Sequence, residues 1–217
     1  MTRSYWRLWR AAAVNNVGDG AFAAAVPLLA VSVTRDPRLV SVVSAATYLP
    51  WLLFSLPAGA LVDRHDRVGL MWRSQAAQAV VVGGVAILTV AGAAGVPAVA
   101  AAAFLLGACE VVFTSAAQAV LPDLVPKPLL HKANGNLQSV TTIGEQFAGP
   151  PLGSLLFAAR AALPFVLDAV TFAMSSGLLA RLPRKPGAHT ERLPMRAAIA
   201  TGLRWLTGHR LLRTLAA

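Results

Sequence analysis

Four acidic residues stand inside long apolar stretches of this 217-residue chain: Asp19, Glu110, Glu145 and Asp168. An ionised acid at the centre of a membrane helix costs about 2.5–3.5 kcal/mol on insertion scales, so such residues are retained for a purpose or paired with one another. Their neighbours recur at helical spacing. Asn15 and Asp19 are four apart, Glu110, Thr114 and Gln118 form an i, i+4, i+8 row, and Gln138, Thr141 and Glu145 form i, i+3, i+7. Counted at 1.5 Å per residue from the ends of their apolar segments, Asp19 lies ~12 Å, Glu110 ~20 Å and Glu145 ~14 Å deep. That is near the midplane, where transporters hold substrate or coupling ion. Asp19, Glu110 and Glu145, with Asn15 and Gln138 beside them, are therefore the candidate proton or substrate sites. Asp168, Thr171 and Ser175 repeat the pattern, but on a helix expected to be peripheral, where such a stripe serves as hydrogen-bonding glue between helices.

The elements that carry these residues are membrane-length. Hydrophobic residues make up 56% of the chain and charged ones 13%, about half the charge of a soluble domain. Six segments reach the ~20 residues that a ~30 Å hydrocarbon core requires: Ala11 to Val33, Val40 to Val62, Ser74 to Gly95, Pro97 to Val120, Asn136 to Ala158 and Ala161 to Leu182. The expected class is an all-α membrane protein, with a six-helix bundle over 1–182. Residues 183–217 follow as a cytoplasmic linker, an amphipathic helix with Ile199, Leu203 and Leu206 on one face, and the possible start of a seventh span. The first segment is read as a retained helix rather than a signal peptide, because Asn15, Asn16 and Asp19 interrupt what would be the apolar region of a leader.

A net charge of +10 would suit a nucleic-acid binder if Lys and Arg shared one polar face. They sit instead between apolar runs. With the N-terminus inside, only Arg35, Arg38 and Arg160 of the 19 basic residues fall on the far side, so the charge is accounted for by retention of Lys and Arg on the cytoplasmic side. Both termini are expected in the cytoplasm, with no nucleic-acid partner. The single Cys109 permits no intramolecular disulfide. His65, His131, His189 and His209 all lie outside the apolar segments, apart from one another, and make no case for a metal. Without a Gly-Lys-Ser/Thr phosphate loop or a histidine beside a buried nucleophile, neither ATP hydrolysis nor a hydrolytic triad is expected. No enzyme activity and no cofactor are expected.

Between the second and third segments the chain reads Gly59-Ala60-Leu61-Val62-Asp63-Arg64-His65-Asp66-Arg67. Gly59, Leu61, Asp63, Arg64 and Arg67 match the loop signature of the major facilitator superfamily, which this run resembles; Asp66 replaces its second glycine, and Val68 stands where a further basic residue is common. Gly149-Pro150-Pro151-Leu152-Gly153 resembles the Gly-Pro-rich motif of antiporters in that superfamily, with Ser154 in place of the last glycine. The prolines remove backbone donors and are expected to bend the helix, and Gly149 and Gly153 to let a neighbour approach. Residues 15–20, 117–126 and 167–172 are similar to the enterobactin-exporter and macrolide-efflux branch.

The resemblance covers essentially the whole chain and one six-helix half, the N-terminal one, of the usual twelve-helix fold. It implies export by alternating access driven by proton antiport, with Gly59, Asp63, Arg64 and Arg67 in a conformational switch and Gly149, Pro150, Pro151 and Gly153 at a kink or gate. The implied partners are the bilayer of the cytoplasmic membrane, protons, a small amphipathic substrate such as a drug or siderophore, and a C-terminal half or second copy. Phe22, Tyr48, Trp51 and Phe113 suit amphipathic ligands. The competing expectation is a truncated membrane protein that transports nothing and acts as an interaction partner or is a gene remnant.

Overall fold

The computed structural model describes residues 1–34 and 36–183, apart from the side chains of Val33, Pro37 and Val40. The expected linker and surface helix over 184–217 and the position of Arg35 lie outside the described residues. Within them the chain is helical, without strands: α1 (Arg3–Val33), α2 (Pro37–Arg64), α3 (Arg67–Val90), α4 (Val96–Leu124), a 3-10 turn (Lys127–Leu129), α5 (Leu130–Thr141), a π-helical stretch (Thr142–Ala148), α6 (Gly149–Ala159) and α7 (Leu163–Leu179). Four of these, α1 to α4, are long and apolar enough to cross a membrane, and α7 is an apolar helix of 17 residues. The expected fifth segment runs without a break through α5, the π stretch and α6.

Helix ends depart from the apolar limits where capping chemistry decides them. α1 begins at Arg3, eight residues before the apolar run, because the Thr2 side chain accepts from Tyr5 N and caps it. α3 begins at Arg67, seven residues before the expected Ser74, with Asp66 at the N-cap position but without a side-chain cap hydrogen bond. It ends at Val90 rather than Gly95, because Gly92 adopts φ +66° and closes the last turn: Ala93 N donates to Leu88 O at 2.9 Å and Gly92 N to Thr89 O at 3.2 Å.

Apolar packing concentrates in two clusters. One gathers Tyr5, Leu8, Met71, Leu121 and Leu179; the other gathers Leu29, Val82, Phe165 and Phe172. The sequence positions place the first near the starts of α1 and α3 and the ends of α4 and α7, and the second near the opposite helix ends. A polar layer lies between them. α7 packs against both α1 and α3, and α2 packs chiefly against α4. The expectation that Asp168 sits on a peripheral helix is therefore corrected: its side chain is 1% exposed, because α7 turns its Asp168–Thr171–Ser175 face inward and its Val166, Val170 and Met174 face outward.

The prolines of α6 act in a way that a simple bend does not capture. Neither Pro150 nor Pro151 has a backbone N–H, and each ring crowds the carbonyl four residues earlier. The preceding turn widens in response, and Gly149 N reaches back five residues to Gly144 O. The bend expected here is thus a seven-residue π stretch, and Glu145 stands in it. π segments of this kind are frequent at functional sites.

Candidate functional site

Asp19 is flanked on α1 by Gly18 and Gly20, and each glycine admits a different neighbour. A Cβ on Gly18 would stand 2.6 Å from Asp168 Oδ1 and would also strike Thr171 of α7. One on Gly20 would stand 2.8 Å from Glu145 Cα and from Gly144 O in the π stretch. Two glycines thus let α7 and the π segment close on either side of Asp19, bringing Asp168 and Glu145 to it. The fourth acid arrives on α4. Gly107, one turn before Glu110, packs α4 onto α2 so closely that a Cβ there would meet Thr47 O at 2.8 Å.

The result is a cavity of about 750 Å³ whose lining includes Asp19, Glu110, Glu145 and Asp168. Asp168, Glu110 and Glu145 each lie within Coulombic range of Asp19. Among the described residues no Lys, Arg or His lines the cavity, so none of the described side chains offsets these four carboxylates with positive charge. The amide donors already face the carboxylates. Asn15 Nδ2 donates to Asp19 Oδ2 at 2.5 Å, and Gln78 Nε2 donates to Glu110 Oε2 at 3.1 Å. Thr114 Oγ1 donates to Glu110 Oε1 at 2.8 Å, and Asn16 Nδ2 to Thr141 Oγ1 at 3.0 Å, tying α1 to α5.

All five candidates read from the sequence, Asn15, Asp19, Glu110, Gln138 and Glu145, line this one cavity. Asp168 and Gln78 join them. Asp168 is visible in its 168, 171, 175 row, which by itself reads as glue; Gln78, four residues after Ser74 and three after Gln75, shows in the sequence only as part of a polar helix face. Among the aromatic residues, Phe22, Trp51 and Phe113 line the cavity, and Phe172 does too. Tyr48 does not. Thr47 and Trp51, four apart on α2, face the site, whereas Tyr48 is turned about 100° away, is 73% exposed, and lies in a separate apolar depression with Leu52 and Phe104.

The switch and kink residues lie elsewhere. Arg67 Nη1 donates to Ala119 O at 3.0 Å and meets Asp123 Oδ2 at 3.3 Å, fastening the start of α3 to the end of α4. Asp63 and Arg64 are exposed at the end of α2, and a Cβ on Gly59 would meet nothing within 4 Å. Gly149 and Gly153 press on α1: a Cβ on Gly149 would stand 2.5 Å from Gly20 Cα, and one on Gly153 2.7 Å from Ala21 Cα.

The family profile described as transmembrane secretion effector matches residues 2–216. An uncharacterised MFS-type transporter of Mycobacterium tuberculosis is 30% identical over 126 residues, a match that covers 57% of this chain and 28% of the relative. Macrolide efflux protein A of Streptococcus pyogenes is 27% identical over 156 residues, covering 70% of this chain and 38% of the relative. The chain thus matches less than half the length of either relative.

Proposed function

Because the chain belongs to the transmembrane secretion effector family, within the major facilitator transporters, we propose that it forms the N-terminal six-helix half of an exporter. In this reading the exporter moves small amphipathic molecules out across the cytoplasmic membrane by proton-coupled alternating access. The observation that carries the reading is the acid-lined cavity itself: carboxylates from α1, α4, α7 and the π stretch converge on one site in a chain whose long helices are apolar. Glu110 and Glu145 are the proton-exchanging groups, Asp19, Asn15 and Gln138 contribute to the same site, and the π stretch before Pro150 is the segment that moves Glu145.

The six spans are α1, α2, α3, α4, the continuous α5–α6 run and α7. The Arg67–Asp123 tie, with Gly59, Asp63 and Arg64 beside it, forms the cytoplasmic switch. The cavity wall is open. Gln118, Gln138 and Gln146 line it yet are exposed, and each polar group facing hydrocarbon would cost several kcal/mol. A complementary half, or a second copy, supplies the missing wall, and lipid covers the apolar outer faces.

Two measurements test this. Proteoliposomes containing the chain joined to a complementary six-helix half are expected to drive ethidium against its gradient when a pH gradient is imposed, and those containing the chain alone are not. Gradient-driven flux from a chain shown by cross-linking to be monomeric would overturn the half-transporter reading. Flux from neither preparation would overturn export. For topology, a reporter fused after Leu182 is expected to report the cytoplasm, given the one-sided distribution of Lys and Arg. A periplasmic signal there excludes the six-span arrangement.

A further inference from the structure

We propose that the cavity selects lipophilic ammonium cations and rejects anions of the same size and shape, an inference that rests on the transporter reading and narrows its substrate class. Charge supplies the first argument. Asp19, Glu110, Glu145 and Asp168 line the space and, among the described residues, no basic side chain accompanies them, so a catecholate, carboxylate or phosphate would meet four like charges and no positive partner on this wall.

Hydrogen-bond direction supplies a second, independent argument. A carboxylate only accepts when ionised, so the neighbouring amides must turn their NH2 groups toward it. Asn15 does so to Asp19 and Gln78 to Glu110. The other end of each amide is left over: among the described residues Asn15 Oδ1 and Gln78 Oε1 have no partner, and neither has Asp168 Oδ2. These residues are 4%, 2% and 1% exposed respectively, and all three line the cavity. Buried acceptors of this kind call for a donor. An ammonium group brings up to three N–H donors and a positive charge together, whereas an anion brings more acceptors. The apolar body of the ligand meets Phe22, Trp51, Phe113 and Phe172, whose ring faces also attract cations. A space of about 750 Å³ falls within the ordinary range of pockets for drug-sized molecules.

A charge series on one scaffold separates these effects: 3,3-diphenylpropylammonium, 3,3-diphenylpropan-1-ol and 3,3-diphenylpropionate. Each is dialysed to equilibrium against the full chain in nanodiscs of zwitterionic lipid at pH 7.5, with empty discs subtracted to remove partitioning. The ammonium is expected to bind at least tenfold more tightly than the alcohol, equivalent to about 1.4 kcal/mol, and the carboxylate to show no saturable binding. Asp168→Asn is expected to draw the ammonium affinity toward that of the alcohol, so that the ratio of the two falls below tenfold. If that variant does not fold, Asp19→Asn makes the same comparison on a different helix.

Equal binding of ammonium and alcohol, saturable binding of the carboxylate at comparable strength, or no saturable binding of any of the three overturns the proposal. Ammonium binding without gradient-driven flux in the complete transporter would sink the export reading alone. Flux restricted to anionic compounds would sink this inference and leave export standing.

Discussion

Replacing Glu110 with glutamine in the complete transporter is expected to reduce pH-gradient-driven efflux by more than about tenfold, because the side chain can no longer take up and release a proton. The protein should still insert and fold. Glutamine has nearly the shape of glutamate, and the local hydrogen bonds can be re-formed: Thr114 Oγ1, which donates to Glu110 Oε1 at 2.8 Å, donates equally well to an amide oxygen. Gln78 now donates to Oε2 through Nε2 while its own Oε1 has no partner. A rotation of its amide presents that oxygen to the new NH2. What is removed is the ionisable group, one of four in the cavity, and with it exchange of a proton at this position.

Glu145→Gln is expected to act in the same direction, since Glu145 lies within Coulombic range of Glu110. Residues acting as one unit are non-additive, so the double variant should lose little more than the stronger single one. The measurement is efflux from proteoliposomes at several imposed pH gradients, with counterflow exchange as the control for substrate binding. Retention of counterflow together with loss of gradient-driven flux is the expected pattern. Unchanged gradient dependence in both single variants would move the two acids to a structural role.

The parts legible in the sequence were those that depend on one helix at a time. Asn15 with Asp19, Glu110 with Thr114, and Thr141 with Glu145 share faces because helical periodicity places them there, and each set lines the cavity. Which helix lies beside which is not contained in any single period, so the sequence leaves α7 peripheral whereas the structure buries Asp168. The close approach that buries it occurs at Gly18 of α1. The π stretch is hidden for another reason. Pro150 and Pro151 announce a disrupted helix, but a kink and a widened turn both relieve the same missing donors and the same clash. Helix ends needed backbone conformation as well, as Gly92 shows by stopping α3 five residues before the apolar run does.

Substituting Gly153 with leucine is expected to prevent folding, with the chain recovered as aggregate rather than as a detergent-soluble species. A Cβ at this position would enter the backbone of α1, 2.7 Å from Ala21 Cα and closer still to Ala21 O, so no rotamer change relieves it. α1 and α6 must separate, and that motion is resisted along the whole crossing. Gly149 presses on Gly20 and Gly144 on Asn16 along the same contact, and the Asn16–Thr141 hydrogen bond ties α1 to α5, which runs on through the π stretch into α6. Overpacking a well-packed interior typically costs 1–3 kcal/mol. A clash with backbone exceeds that range, and the total stability of a domain is only about 5–15 kcal/mol. Even Gly153→Ala should lower the thermal midpoint.

A general intolerance of helical glycine replacement would give the same outcome, and two internal controls separate it. Gly84 in α3 and Gly177 in α7 have nothing within 4 Å of an added Cβ. Gly84→Ala and Gly177→Ala are therefore expected to be neutral or to stabilise by up to about 1 kcal/mol, the helix-propensity difference between the two residues. Tryptophan fluorescence followed through thermal unfolding in detergent reads all of these variants on one scale. Gly153→Ala unfolding at the same temperature as Gly84→Ala would refute the close α1–α6 crossing, and with it the placement of Glu145 beside Asp19.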